Sequence, residues 1–214
     1  MNLVLLFLMI SSVILPQKPE EIILKAEAKI RSYQTLQADF IQMYFSMSVS
    51  NPLKEKGRLF FQKPDRMRWE YFDPEKKVFV SKENSYKFYF PEENQLMQGT
   101  FTEGNYEAEI LQIIAGKSQI LDTYSVEFSP FPTDQPDAFQ LKLTPKKDEE
   151  TLILLEINEK NWLVQKAIFF DWAGNKQEYH FSNITTDIPL PPDIFQIQTP
   201  PDVEIVESLS PSEK

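Results

Sequence analysis

The chain has 214 residues, no cysteine and a formal net charge of −10 at pH 7. This length fits one domain with a sizeable core. The acidic charge argues against a broad contact with nucleic acid or an anionic membrane surface, because such contacts need clustered lysine and arginine. Without cysteine, the chain has no disulfides, no thiolate metal ligands and no N-terminal cysteine that could carry a lipid.

The N-terminal stretch LVLLFLMISSVIL, residues 3–15, is a continuous apolar run. It is shorter than the roughly 20 residues that a membrane-spanning helix needs. It has the length of the apolar region of a signal peptide. We therefore predict that residues 1–17 are a signal peptide and that the mature chain is exported. A buried helix and an uncleaved anchor are the alternatives.

The next segment predicts an amphipathic helix over 19–34, with Glu20 and Glu21 suiting its N-terminal end. Apolar side chains recur on one face of this helix: Ile22, Ile23, Ala26, Ile30 and Tyr33. Strand-like segments separated by Pro, Asn and Asp turn signals follow at 36–49, 54–62, 66–72, 77–82, 85–90 and 95–101. Their short connections predict antiparallel neighbours.

A second amphipathic helix is predicted at 105–115, ended by Gly116, where it interrupts the strands as a candidate lid. Strands then resume at 122–128, 138–144, 151–157, 162–170 and 176–183. A Pro-rich return leads to an edge strand at 202–206, and we interpret 207–214 as a polar tail. These elements predict one mainly β domain over 18–206, in which a long antiparallel sheet curls around an apolar concave face covered by the two helices.

The stretch RMRWEY, residues 66–71, alternates bulky apolar residues with charged ones. This pattern predicts one apolar face and one face exposed to water. The same period of two on the neighbouring strands places one set of side chains on the concave face: Phe40, Leu59, Phe61, Met67, Trp69, Tyr71, Tyr86 and Phe88. The candidate lid would pack Ile110, Ile113 and Ile114 against that face.

Catalytic signatures are missing from the sequence. The single histidine, His180, lies between Tyr179 and Phe181 on a predicted strand, where we interpret it as facing solvent. The chain contains no G-x-S-x-G, P-loop or G-x-G-x-x-G motif. We therefore predict neither an enzyme nor a metal or cofactor site.

Three segments carry a resemblance to a known family: LQADFIQ, GRLFFQKPDRMRWEY and FVSKENSYKFYFPEENQL. Together with the order of elements, they resemble the periplasmic outer-membrane lipoprotein carriers, the LolA family. The resemblance implies an unclosed antiparallel half-barrel with helices as a lid. It also implies a periplasmic chaperone, monomeric and without cofactor. Such a carrier accepts acylated lipoproteins from an inner-membrane ABC transporter and delivers them to an outer-membrane receptor lipoprotein.

This resemblance gives the concave face a role. Each buried methylene of an acyl chain contributes about 0.8 kcal/mol, so several chains anchor a lipoprotein firmly in a membrane unless another apolar surface covers them. The concave residues are the predicted acyl-chain site, because Phe and Met offer large apolar area. Lys63 stands where many family members carry an arginine implicated in holding the lid shut, and we predict that it bonds to a helix-end carbonyl. The open alternatives are a carrier or sensor of glycolipids or other envelope lipids, a lipid hydrolase and a structural sandwich.

Overall fold

The computed structural model describes residues 17–47, 51–101, 113, 116, 119–133, 135–147, 152–171 and 173–207. The predicted signal peptide, apart from Gln17, and residues 208–214 of the predicted tail lie outside these ranges. So does most of the predicted helix at 105–115, including Ile110 and Ile114. No helix within the described ranges is both long enough and apolar enough to span a membrane.

The N-terminal helix α1 comprises Pro19–Ser32. Proline at its start has the backbone angle that a first helical turn needs, and Glu20 and Glu21 complement the positive end of the helix dipole. The apolar face is buried as predicted, with Ile22 and Ile23 fully inaccessible to solvent. The helix ends before the predicted residue 34 because Tyr33 adopts an extended backbone conformation.

The described part of the chain forms one sheet of 12 strands and a second, short helix, α2 (Ile120–Thr123). The strands are β1 (Thr35–Phe45), β2 (Leu53–Gln62), β3 (Arg66–Asp73), β4 (Lys77–Lys82), β5 (Ser85–Phe90), β6 (Gln95–Thr100), β7 (Tyr124–Phe128), β8 (Ala138–Pro145), β9 (Leu152–Asn158), β10 (Val164–Phe170), β11 (Lys176–Thr186) and β12 (Glu204–Glu207). Their spatial order is β12-β6-β5-β4-β3-β2-β1-β11-β10-β9-β8-β7.

Two antiparallel meanders, β1–β6 and β7–β11, make up most of this sheet, and the pairing of β1 with β11 joins them. The outermost of these described strands, β12 and β7, are not paired with each other, so the sheet remains an open half-barrel. This confirms the predicted fold class. The one parallel pair among the described strands, β12 with β6, follows a long return, as parallel neighbours require.

Strand register shows how the concave face is assembled. Residues directly opposite each other on neighbouring strands share a face of the sheet. Phe61 lies opposite Met67, and Leu59 opposite Trp69, so β2 and β3 present their apolar side chains together. Buried side chains from the second meander extend the same core: Leu141, Leu143, Ile153, Leu155, Ile157 and Phe169.

The outer face of the first meander is crossed by residues 187–203, which we call the C-terminal return. It begins beside β1, where the Thr35 hydroxyl donates to the Ile188 carbonyl at 2.7 Å. It passes β3, where Arg68 Nη1 donates to the Gln196 carbonyl at 3.1 Å. Arg68 lies on the outer face, as the alternation predicts, but its side chain is only 15% exposed because the C-terminal return covers it. Alternation along a strand cannot predict a contact between residues so distant in sequence.

Candidate functional site

The predicted site residues that the structure describes share the concave face or its core. Phe40, Leu59, Phe61, Met67 and Trp69 are each at most 4% exposed. A second group is partly buried and packs against that core: Tyr71, Tyr86 and Phe88. Ile113, from the predicted lid, belongs to the same buried cluster.

Aromatic rings form a connected floor on this face. The Phe40 ring lies 4.8 Å from the Trp69 ring and 5.0 Å from the Tyr71 ring, measured between centroids. The edge-to-face angles are those that aromatic pairs prefer. Sequence reasoning missed three members of this floor: Phe79, Tyr179 and Phe181. The alternation of side chains along their strands could have identified them, because Phe79 lies opposite Trp69 and Phe181 lies opposite Phe40.

The absence of a side chain at Gly57 allows the Phe40 ring to pack directly against β2 and β3. A Cβ atom at this position would lie 2.4 Å from Phe40 Cζ and 2.2 Å from the Glu70 carbonyl oxygen. Both distances are far inside van der Waals contact, and the carbonyl belongs to the backbone of the neighbouring strand. A side chain at position 57 would therefore force β2 and β3 apart beneath the Phe40 ring.

Helix α1 packs on the concave face, where its Ile22, Ile23 and Ile30 belong to the buried core. One cavity between α1 and the sheet has a volume of about 30 Å³. Its walls are apolar, and they are formed by Ile30, Tyr33, Leu36, Ala38, Leu59, Leu163, Val164, Phe181 and Ile184. A cavity of this size has room for little more than water-sized groups.

A continuous set of polar contacts holds α1 in this position, and we call it the polar chain. Lys63 Nζ donates to the Arg31 carbonyl in the last turn of α1 at 2.6 Å. Arg31 Nη1 donates to Glu27 Oε2 at 3.3 Å. The second oxygen of Glu27 accepts the Ile120 backbone N–H at 2.8 Å, at the start of α2. The polar chain thus links the β2–β3 turn, α1 and α2.

The segment before α2 also reaches α1. A Cβ atom at Gly116 would lie 2.7 Å from Ile30 Cγ2, and the φ angle of this glycine is +64°. Residues with side chains rarely adopt that angle. Position 116 therefore needs glycine both for its backbone conformation and for its close approach to α1. At Tyr33, directly after the last residue of α1, burial raises the pKa of the hydroxyl well above its usual range.

Comparison with known proteins decides the family. The sequence profile of "Outer membrane lipoprotein carrier protein LolA" matches residues 31–198. The chain belongs to the LolA family.

Two named relatives and one solved structure give the extent of the similarity. An outer-membrane lipoprotein carrier protein of Methylococcus capsulatus is 27% identical over 177 residues, covering 82% of this chain and 83% of the relative. The protein of the same name from Chromobacterium violaceum is 28% identical over 186 residues, covering 84% of each chain. An uncharacterised conserved protein from Thermus thermophilus has the same fold, with a TM-score of 0.56 at 14% identity over 88% of this chain and 98% of that chain.

The concave face forms the groove of this LolA-family protein. It also contains an ion pair that sequence reasoning missed. Lys77 Nζ lies 2.5 Å from Glu55 Oε1. Both residues point to the concave face, because Glu55 lies opposite Gln42 on β1 and Lys77 lies opposite Tyr71 on β3. The sequence indicates this only through the alternation along β2, where Glu55 is separated from Leu59 and Phe61 by an even number of residues and so lies on the same face.

The chain's single histidine lies away from the LolA-family groove. His180 is on the outer face of β11, where its Nε2 is 3.0 Å from Glu178 Oε2. The hydrogen bond to His180, and beyond it the contacts with Lys176, lower the pKa of Glu178 from 4.5 to about 2. Among the described residues, no group of three or more His, Cys, Asp or Glu side chains is arranged to hold a metal ion.

Proposed function

We propose that this chain is a periplasmic chaperone that accepts acylated lipoproteins from the inner membrane, shields their acyl chains in the concave groove and delivers them to the outer membrane. The observation that carries the proposal is an apolar groove on which a helix of the same chain packs, with an apolar cavity of about 30 Å³ between helix and sheet. A helix held largely by side-chain contacts is a covering that cargo can replace.

The energetics favour reversible exchange between helix and cargo. Three isoleucines of α1 are buried: Ile22, Ile23 and Ile30. Their burial contributes roughly 5–9 kcal/mol in total, at about 1.5–3 kcal/mol for each side chain. An acyl chain that buries about ten methylenes gains roughly 8 kcal/mol. Because these two quantities are similar, cargo is held without being trapped.

The proposed partners follow from this role. The source is an inner-membrane ABC transporter, which hydrolyses the nucleotide, and the destination is an outer-membrane receptor lipoprotein. The carrier works as a monomer without a cofactor. Lys63 is the proposed latch of the helical cover. The cover consists of α1 together with the mid-chain segment that contains Ile110, Ile113 and Ile114.

The test is release of a radiolabelled lipoprotein from spheroplasts into a soluble complex, which gel filtration resolves. Met67→Glu should reduce release strongly, because a charge on an apolar floor is costly to desolvate. Phe72→Glu is the matched control on the same strand, since Phe72 is 52% exposed. Normal release by Met67→Glu would remove this residue from the site. If wild-type protein releases no lipoprotein but co-purifies with other lipids by mass spectrometry, the alternative of an envelope-lipid carrier or sensor replaces this proposal.

A further inference from the structure

The ion pair between Glu55 and Lys77 is set into a groove lined mainly by apolar side chains. The side chain of Glu55 is 10% exposed and that of Lys77 is 15% exposed. Desolvating two charges costs several kcal/mol, and buried pairs replaced by apolar residues often leave a protein as stable or more stable. Stability alone therefore gives little reason for these charges to lie here.

Two aromatic rings lie beside the Lys77 ammonium, and the amide of Gln42 bonds to the hydroxyl of one of them. Lys77 Nζ lies 4.6 Å from the centre of the Tyr71 ring and 5.6 Å from that of Phe88. The Tyr71 hydroxyl donates to Gln42 Oε1 at 2.9 Å. An ammonium has three donors, and the carboxylate of Glu55 takes one of them. The four side chains Gln42, Glu55, Tyr71 and Lys77 form what we call the polar subsite.

The polar subsite lies at the opposite end of the groove from the Lys63 contact. Glu55 and Phe61 are both on β2, and the rise of about 3.3 Å per residue puts them roughly 20 Å apart. Phe61 is next to Tyr33, at the end where Lys63 holds α1. The aromatic floor extends between the two ends. The groove is thus polar at one end and apolar along its length, like an acylated molecule.

We propose that the polar subsite binds the ester and amide carbonyls that join acyl chains to the polar part of the cargo. Lys77 and the amide of Gln42 donate to these carbonyls, while Glu55 and the two rings hold Lys77 in place. The acyl chains then run from the polar subsite over Trp69 towards the Lys63 end. This inference rests on the proposed function. The same carbonyl chemistry occurs in an acylated peptide and in a diacyl phospholipid.

The test compares the affinities of wild-type protein and Glu55→Leu/Lys77→Met for four probes. These are a synthetic triacylated lipopeptide, its analogue with ether-linked chains, a diacyl phospholipid and an apolar fluorescent dye. The double variant should bind the ester-linked lipopeptide about tenfold more weakly, the loss expected for charged hydrogen bonds. The loss should be smaller for the ether analogue, and binding of the dye should stay unchanged.

The control is Lys56→Met/Asp73→Leu. It removes an ion pair of 2.7 Å at the same end of the sheet, but on exposed side chains outside the groove. This control should bind every probe as wild type does. Tyr71→Phe is a second test variant that keeps the ion pair and removes only a hydroxyl. It should weaken lipopeptide binding about threefold, within the range for a neutral hydrogen bond.

The outcomes separate this inference from the proposed function. Equal lipopeptide binding by wild type, the double variant and Tyr71→Phe would overturn the polar subsite and leave the carrier function intact. Binding of phospholipid alone, with the same dependence on Lys77, would support the polar subsite and overturn the lipoprotein cargo. If wild type binds neither the lipopeptide nor the phospholipid, both proposals fail.

Discussion

Removing the Lys63 ammonium should loosen the cover over the groove. Lys63→Met keeps the length of the side chain and deletes the 2.6 Å hydrogen bond to the Arg31 carbonyl. A fully shielded charged hydrogen bond contributes about 1.5–3 kcal/mol. This contact is partly open to water, and a cation at a helix C-terminus contributes only about 0.3–1 kcal/mol through the dipole. We therefore expect a loss of about 1 kcal/mol, which shifts the equilibrium between covered and uncovered groove roughly fivefold.

Two measurements check this expectation. Amide hydrogen exchange in α1 should become about five times faster in Lys63→Met, because exchange reports the free energy of local opening. The affinity for an apolar fluorescent probe should rise by a similar factor. Lys63→Arg should behave like wild type, since a guanidinium also donates to a carbonyl. Lys54→Met, at an exposed lysine on β2, is the matched control.

Unchanged exchange and unchanged probe affinity in Lys63→Met would refute the latch. A drop in global stability without faster exchange in α1 would also count against it. In that case the lysine would support the β2–β3 turn rather than the helical cover.

Three further changes test other contacts. Gly57→Ala should lower the free energy of unfolding by about 1–3 kcal/mol in urea titrations, because its methyl group would overlap the Phe40 ring and a backbone carbonyl. Glu27→Ala should cost about 1.5–3 kcal/mol, since it removes the acceptor of the buried Ile120 N–H, whereas Glu27→Gln should retain most of that stability. For Glu178, the lowered pKa means that the ionised carboxylate stabilises the fold. Its contribution, at most about 3 kcal/mol, is complete above pH 4.5 and is lost as the pH falls towards 2. The stability difference between wild type and Glu178→Gln should therefore shrink between pH 5 and pH 2.5.

Each of these three predictions would be contradicted by a different result. Wild-type stability of Gly57→Ala would mean that β2 and β3 separate at little cost. Equal losses in Glu27→Ala and Glu27→Gln would show that shape, rather than hydrogen bonding, matters at that position. A wild-type advantage over Glu178→Gln that is independent of pH would exclude the ionised carboxylate as its source.

The first meander was predictable because its turn signals are local. Proline and asparagine in the connections fixed the bounds of β3, β4 and β5 to within one residue. The alternation in RMRWEY then gave the correct inner face, since Met67 and Trp69 are both buried. The alternation along a strand and the turn residues that bound it involve only neighbouring residues, so both can be read directly from the sequence.

Contacts between distant residues were not predictable in this way. Glu55 and Lys77 are charged residues on strands, and a rule that places charges outward puts both on the wrong face. Only the pairing across β2, β3 and β4 brings the two side chains together on the inside. The bond from Arg68 to the Gln196 carbonyl likewise depends on where the C-terminal return crosses the sheet. Such contacts follow from topology, which single-sequence patterns do not encode.

The open half-barrel has a consequence for how empty copies of the protein meet one another. A sheet edge presents unpaired backbone groups to which another chain can add a strand, a route to aggregation. Beyond the first meander, one edge of the sheet is β12, a strand of four residues with Glu204 and Glu207 at its ends. Short length and charge are the features that discourage pairing between sheet edges. Two copies approaching through β12 would bring carboxylates together within chains that already carry a net charge of −10. Electrostatic repulsion thus disfavours pairing of two copies through their β12 edges.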